Sequence, residues 1–515
     1  MKNKRIYTYL LFTSLMVTAF SCTDLKIKET DSIFIESSGG EFTGVADVES
    51  SLTNLYGGVR GQVESHETLY GLSEVSSDEM LIPTRGTDWG DNGIWRTLHQ
   101  HTWGPTHLFI LKTWNNFNQN VFLANEIIDA RSNPTEQQAA EAKFLRAFNM
   151  WVIMDMFGQV PFREVDEGPD VNPKVLTRME AFDFIMKDLD DAISILPSRA
   201  PGETNKAGKA AALFLKARML LNKHIYNGTG TADASDMTEV INIVDLIAAE
   251  GHSLESGYFD IFKDSPDNET IWHTNSSTGN RIWSGLHYHQ VTPTQTGGGW
   301  NGFSTLAEFY DSFEGPSDSN LKGEGQEERR GWVPDATTAD DSNFGIGYGF
   351  LIGQQYDKEG TPLKDRAGAP LSFTKDFPGL VGNREYNGIR VLKYHPANGD
   401  FASHVIVFRY AEAHLMKAEA LMRSGGDAKD LVNELRAIRG ASALAAVTEE
   451  DMLAERGREL YQEMVRRTDL IRFGKFTDAW EFKEAASVGD ETKTLFPIPT
   501  NALLSNPNLT QNPGY

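Results

Sequence analysis

Apolar residues return at helical spacing through the first half of the chain, interrupted by short polar runs. The clearest stretch is PTEQQAAEAKFLRAFNMWVIMDMFGQVPF, residues 134–162. Thr135 with Gln138 forms a capping-box pattern, in which two side chains satisfy orphan backbone donors at a helix start. Ala140, Phe144, Ala147, Phe148 and Trp151 then share one face. Gly158 and Pro161 end it, because proline cannot continue the helical ladder. The order alanine, apolar residue four on, alanine three further is repeated at Ala210, Phe214, Ala217 and at Ala411, Leu415, Ala418. Small residues on both sides of a large one let helices approach closely. Three such faces predict stacked helical hairpins of tetratricopeptide type, although their spacing is too irregular for a simple solenoid.

Helices are also predicted at 45–60, 107–131, 178–196, 208–224 and 237–249. Trp114, Phe117, Val121 and Ala124 share a stripe in the second of these. The turn at 197–206 (PSRAPGETNK) makes 178–224 the best hairpin. From about 258 to 404 the periodicity fades and Gly, Asn, Asp, Ser and Thr become frequent. This part reads as loops with short strands such as 389–394. Helices resume at 405–423, 429–439 and 449–467, and the tail 495–515 is irregular. The expected fold is mostly α: a tetratricopeptide-like scaffold with a long loop-rich insertion containing minor β structure.

Charge and the N-terminus narrow the setting. The 515 residues carry a formal net charge of −24, which repels phosphate backbones and argues against nucleic acid as a partner. Lys2, Lys4 and Arg5 precede an apolar run from Tyr7 to Val17 that is too short for a confident membrane span. The run ends at Ala19-Phe20-Ser21-Cys22, and Cys22 is the sole cysteine, so no internal disulfide can form. The pattern fits a lipoprotein signal over 1–21 with Cys22 lipidated, or else a plain secretory signal with an incidental cysteine.

Four segments then carry a family pattern: AEAKFLRAF running into FGQVPF, RYAEAHLMKAEAL, ERGRELYQEMVRRTDLIRFG, and the closing LFPIPTNALLSNPNLTQNPGY. In this order, and across Cys22 to Tyr515, they resemble the SusD/RagB family of outer-membrane glycan-binding lipoproteins of Bacteroidetes. The resemblance implies four tetratricopeptide-like helix pairs with a variable loop-rich part. It divides the chain into an N-terminal SusD-like region (22–257) and a C-terminal RagB/SusD region (258–515). It further implies a SusC-type TonB-dependent transporter as partner, with the SusD-like subunit acting as a hinged lid. The expected ligand is an oligosaccharide or polysaccharide, taken without a cofactor or a chemical step, at an outer membrane to which the chain is lipid-anchored, facing the exterior. The RagB branch leaves peptide cargo as the alternative.

Candidate chemistry lies in loops. Residues 77–103 (SDEMLIPTRGTDWGDNGIWRTLHQHTW) place Trp89, Trp95 and Trp103 among Arg85, Asp88, Asp91 and Asn92. Aromatic rings stack on the C–H faces of sugars, and carboxylates, amides and guanidinium groups bind their hydroxyl edges. The family's glycan site is built partly from this region, and Trp89, Trp95, Arg85 and Asp91 match it in type and place, while Trp103 reads as core. A second tract, 281–301, supplies Trp283, Tyr288 and Trp300, with Gly297 to Gly299 giving Trp300 freedom to move or lie flat. Tyr386, Asn387 and Arg390 are weaker candidates. His99 with His101 and His287 with His289 have the spacing of one strand face, and Asp318, Asn320 and Glu324 are oxygen-rich. Neither group has the full ligand pattern of a zinc or calcium site, so no metal is expected. Asp78 with Glu79, or Asp88 with Asp91, would have to serve as the carboxylates of a hydrolase.

Overall fold

Several of the long helices start at a side chain that caps them. In the computed structural model, which describes residues 42–168, 170–275, 279–292, 297–339, 343–396 and 404–515, Asp47 accepts from the Glu49 and Ser50 amides and opens helix α1, Val48–Glu64. Helix α2 is Leu108–Ile128. The expected Thr135–Gln138 capping box opens α3, Glu136–Phe157, and Gly158 closes it in the left-handed conformation. A second capping box, Thr177 with Glu180, opens α4, Arg178–Ile195. Then come α5, Lys209–Tyr226, and α6, Ala234–Ala249. After the loop-rich part follow α7, Tyr410–Arg423, α8, Lys429–Ile438, and α9, Glu449–Leu460. From α1 to α6 each helix packs on the next, and α7 packs on α6, so the helices form a run of stacked hairpins. Among the described residues no helix is long and apolar enough to cross a membrane. The signal at 1–21 and Cys22 lie outside the described residues.

The three alanine-flanked faces are all buried. Two of them meet a feature that the pattern did not predict. Residues 405–409 are not the start of a helix. His404–Arg409 is a strand, antiparallel to Thr270–Asn275. All six residues are buried on both faces, so the β-branched run HVIVFR lacks the alternation that would have marked it. Trp272 and Phe408 project from this pair into the helices. Phe144 and Phe148 meet Trp272 edge-on at 4.9 and 5.1 Å, and Phe214 stacks on Phe408 at 4.4 Å. The main core therefore joins residues from both halves of the chain.

The helix expected at 449–467 also breaks. It stops at Leu460, and Arg466–Arg472 forms a separate helix. Between them Gln462 and Met464 adopt positive φ. There the Gln462 and Met464 amides donate to the buried carboxyls of Glu79 and Glu74 at 2.5 and 2.6 Å. The charges of this segment do not lie on a solvated helix face. Arg456 pairs with Asp469 at 2.8 Å, and Arg472 pairs with Glu419 and Asp469 at 2.7 Å each, all buried. Arg409 joins Glu269, Glu459 and Glu463 in an adjoining buried network. The expected strand at 389–394 is shorter, Arg390–Leu392, in a three-stranded sheet with Tyr348–Leu351 and Gly331–Trp332. The tail contains one short helix, Thr500–Ser505.

Candidate functional site

The loop between Thr84 and the short helix Ile94–His99 is held in a costly conformation. Trp89, Asp91 and Asn92 have φ of 58°, 34° and 53°. The left-handed region costs an ordinary residue roughly 1–2 kcal/mol, and such strain concentrates at binding sites. What fixes the loop is the second tract. The Trp89 indole N–H donates to the Trp300 carbonyl at 2.7 Å. Its ring lies on Gly302, where a Cβ would come within 2.3 Å of Trp89 Cε2. Trp95 donates to Asp91 Oδ2 at 3.0 Å.

These contacts gather an aromatic cluster. His66, at the end of α1, lies 5.7–6.1 Å from the rings of Trp89, Trp95, Trp300 and Phe303. Trp95 packs on Phe109 at 4.7 Å. Beside the cluster an open cleft of about 690 Å³ is lined by His66, Trp89, Trp95, Trp103, His107 and Phe109, with Asp91, Asn92, Thr102 and Thr106 exposed along it. Burial lowers the pKa of His66 and of His107, so both imidazoles are neutral at pH 7. The Nδ1 atoms of both are buried without a partner among the described residues. The cleft thus combines ring faces and edges with neutral imidazoles and with the carboxylates of Glu67 and Asp91. Asp78 is tied to Arg466 at 2.7 Å, and Asp88 accepts from the Tyr288 hydroxyl at 2.8 Å and from Arg366.

The other expected residues are distributed differently. Trp300 is 37% exposed and borders the cluster. Tyr288 is half-buried under the Arg366 guanidinium, 4.0 Å from its ring centre. Burial and the neighbouring Asp88 raise its pKa. Trp95 is 3% exposed, so only its edge reaches the cleft. Trp283, at 4%, packs in a separate core with Leu286 and Val391, out of reach of a ligand. Arg85 is also out of reach. At 2% exposure, its guanidinium donates to the carbonyls of Asn301, Gly302 and Asn387 and to Ser304 Oγ at 2.7–2.9 Å. Arg390 lies buried beside it, donating to Asn301 Oδ1 and to two of the same acceptors, Ser304 Oγ and Asn387 O. The glycines of the second tract do not free Trp300. Gly299 instead lets the backbone lie against Leu286, where a Cβ would sit 2.0 Å from a carbonyl oxygen.

His99 and His101 sit at a helix end rather than on a strand, because the helix from Ile94 runs through His99. Each bonds a different carbonyl, Glu481 and Ser76, at 2.8 and 2.7 Å. His287 is bonded to Glu385 at 3.0 Å. Asn320 and Glu324 bond backbone: Asn320 donates to the distant Phe350 O at 2.8 Å, and Glu324 accepts from Leu321 N in its own turn at 3.0 Å. The residues that the sequence reading missed are His66 and Phe303. A lone histidine in VESHETLY carries no pattern, and only packing brings it to the tryptophans.

Comparison with known proteins agrees with this architecture. A family model described as "SusD family" matches residues 268–515, and one described as "Starch-binding associating with outer membrane" matches residues 34–221. The "Starch-binding protein SusD" of Bacteroides thetaiotaomicron is 26% identical, over 92% of this chain and 90% of its own length. "SusD-like protein P25" of Formosa agariphila is 23% identical over 100% of this chain and 99% of its own. Among solved structures, a "Laminarin binding SusD-like protein" superposes with a TM-score of 0.67 at 20% identity, covering 92% of this chain and 100% of that one. "Surface glycan-binding protein A" from Bacteroides uniformis gives 0.67 at 20% identity, covering 90% and 98%.

Proposed function

Since the chain belongs to the SusD family, we propose that it captures oligosaccharides at the outer membrane and passes them, without chemical change, to a SusC-type TonB-dependent transporter. The observation that carries this reading is the cleft beside His66, Trp89 and Trp300, where ring surfaces lie next to exposed Asp91 and Asn92. A pyranose presents the matching surface, with apolar C–H faces and a rim of hydroxyls. Starch and laminarin are named as ligands of two relatives, so these two neutral glucans are the first probes. Lipidation at Cys22 with a diacylglyceryl group would supply the two acyl chains that stable anchoring to the membrane takes.

Capture rests on a few contacts. A sugar ring packed against Trp300 and the exposed side of Trp89 buries apolar surface. Asp91, Asn92 and the neutral imidazole of His66 bond its hydroxyls. The strained loop and its tie to Trp300 O hold these groups in place before ligand arrives, which lowers the ordering cost of binding. Native gels containing soluble starch or laminarin should retard the mature chain from residue 23 onward, with no new reducing ends after long incubation. Retardation by neither glucan, together with saturable peptide binding by calorimetry, would favour the peptide alternative. New reducing ends would overturn the non-enzymatic reading.

A further inference from the structure

A second groove lies in the loop-rich half, and no residue lines both it and the first cleft. Its volume is about 530 Å³. Its aromatic wall is Phe259, Trp332 and Tyr348, with ring centres 5.4 Å (Phe259 to Tyr348) and 5.9 Å (Trp332 to Tyr348) apart. Trp332 stands on the short edge strand Gly331–Trp332 and Tyr348 on its neighbour, so their register, Trp332 opposite Tyr348, fixes the two rings relative to each other. Gly323, Gly325 and Gly331 line the rest with bare backbone.

What sets this groove apart is unspent hydrogen-bonding capacity on half-buried rings. The indole N–H groups of Trp89, Trp95 and Trp103 are each bonded internally. Among the described residues the Trp332 indole N–H and the Tyr348 hydroxyl have no such partner. Both residues are half-buried, and both line the groove. Lys322 makes no ion pair among the described residues. Its ammonium rests over the Trp332 ring, 4.4 Å from the centre, as a displaceable cover. On a chain with net charge −24 the groove's charges are largely spent on one another: Lys263 is bonded to Asp260 and Glu327 to the buried Arg329, which leaves Lys322 against Glu328. Balanced charge, rings and free donors suit a neutral hydroxyl-rich ligand better than an anionic one.

We propose that this groove is a second saccharide site, built on Trp332 and Tyr348, that binds another segment of the same neutral polysaccharide held in the first cleft. This rests on the glycan-binding reading above. Two sites on one polymer make the second contact intramolecular, so polymer binding gains far more than short-oligosaccharide binding.

The test uses the mature chain, with soluble starch and laminarin in native gels and maltohexaose and laminarihexaose in calorimetry. Trp332→Ala and Tyr348→Ala should each weaken retardation by the polymer that wild type binds by about tenfold. Trp300→Ala should lose one hexasaccharide equivalent and keep a second, which disappears when Trp332→Ala is added. Tyr348→Phe removes only the hydroxyl, and it should show a smaller loss with an unchanged thermal midpoint. That separates ligand contact from misfolding. Wild-type retardation with unchanged Trp332→Ala, Tyr348→Ala and Tyr348→Phe variants would overturn the second site and leave the first intact. Loss of all hexasaccharide binding in Trp300→Ala alone would do the same. Retardation of wild type by neither polymer would instead fail the underlying glycan reading.

Discussion

Arg85→Met removes the clamp between the two tracts that build the first cleft. Four hydrogen bonds leave one guanidinium for Asn301 O, Gly302 O, Ser304 Oγ and Asn387 O. Bonds from a charged donor contribute roughly 1.5–3 kcal/mol each, a gross of about 6–12 kcal/mol. Two effects oppose them. No carboxylate lies within ion-pair distance of Arg85 among the described residues, and a second cation, Arg390, is buried against two of the same acceptors. Desolvation lowers the Arg85 pKa to about 9. A buried cation in such a setting costs several kcal/mol. The bonds still win, because methionine fills the stem but takes the guanidinium from the Asn301 and Gly302 carbonyls, which Arg390 does not reach; Ser304 Oγ and Asn387 O keep Arg390 as donor. The net loss should be about 3–4 kcal/mol, read as a lower urea midpoint at unchanged slope. Saccharide affinity should fall as well, although Arg85 touches no ligand, because Gly302 positions Trp89 and the same loop carries Trp300. A change below about 1 kcal/mol with unaltered affinity would refute the clamp.

Other perturbations probe the rest of the account. Gly302→Ala should displace the Trp89 ring and weaken saccharide binding about tenfold, measured by titration, because the new Cβ would meet Trp89 Cε2 at 2.3 Å. Trp272→Ala should cost about 3–5 kcal/mol in denaturant unfolding, since it empties the space among Phe144, Phe148 and Phe408. Glu79→Gln should flatten the pH dependence of stability between about pH 4.5 and 7. Burial pushes Glu74 up to about 7, and burial together with the neighbouring Glu74 carboxyl raises Glu79 as well. The fold therefore keeps a proton that the unfolded chain releases above its ordinary carboxyl range, and stability falls as pH rises through that window, by about 1.4 kcal/mol per pH unit per proton. A glutamine amide supplies the shared hydrogen permanently; an unchanged slope would reject the shared proton. Acid acts oppositely on Glu455. Burial raises it, but Arg329, Arg458 and Arg436 outweigh burial and bring it to about 2, so its contribution is lost as pH falls from about 4.5 toward 2.

Much of the scaffold could be read from period and caps alone. Thr135, Gln138 and Gly158 set the ends of α3, and the alanine-flanked faces are core in all three copies. The reading failed where tertiary contacts override local pattern. HVIVFR is a strand covered on both sides, by the helical core at Val405, Val407 and Phe408 and by the core of the loop-rich part at Ile406, and that removes the alternation by which a strand is recognised. The helix through 449–467 breaks at Tyr461 because buried Glu74 and Glu79, nearly 400 positions earlier, bind its amides; the helical charge pattern continues regardless. In the site, residue type was legible and residue role was not. Arg85 and Trp283 sit among candidate ligand groups in sequence, yet one is a buried tie and the other is core. His66 carried no local signal, since its neighbours Trp89, Trp95 and Trp300 come from other segments.

The central claim is that a sugar ring lies against Trp300 and Trp89 beside His66. A crystal structure of the mature chain with whichever of maltohexaose or laminarihexaose binds in calorimetry tests it directly. The account predicts a pyranose within about 4 Å of the Trp300 ring, with hydroxyls bonded to Asp91, Asn92 or His66. A saccharide found only away from this cleft, with Trp300 untouched, would contradict it.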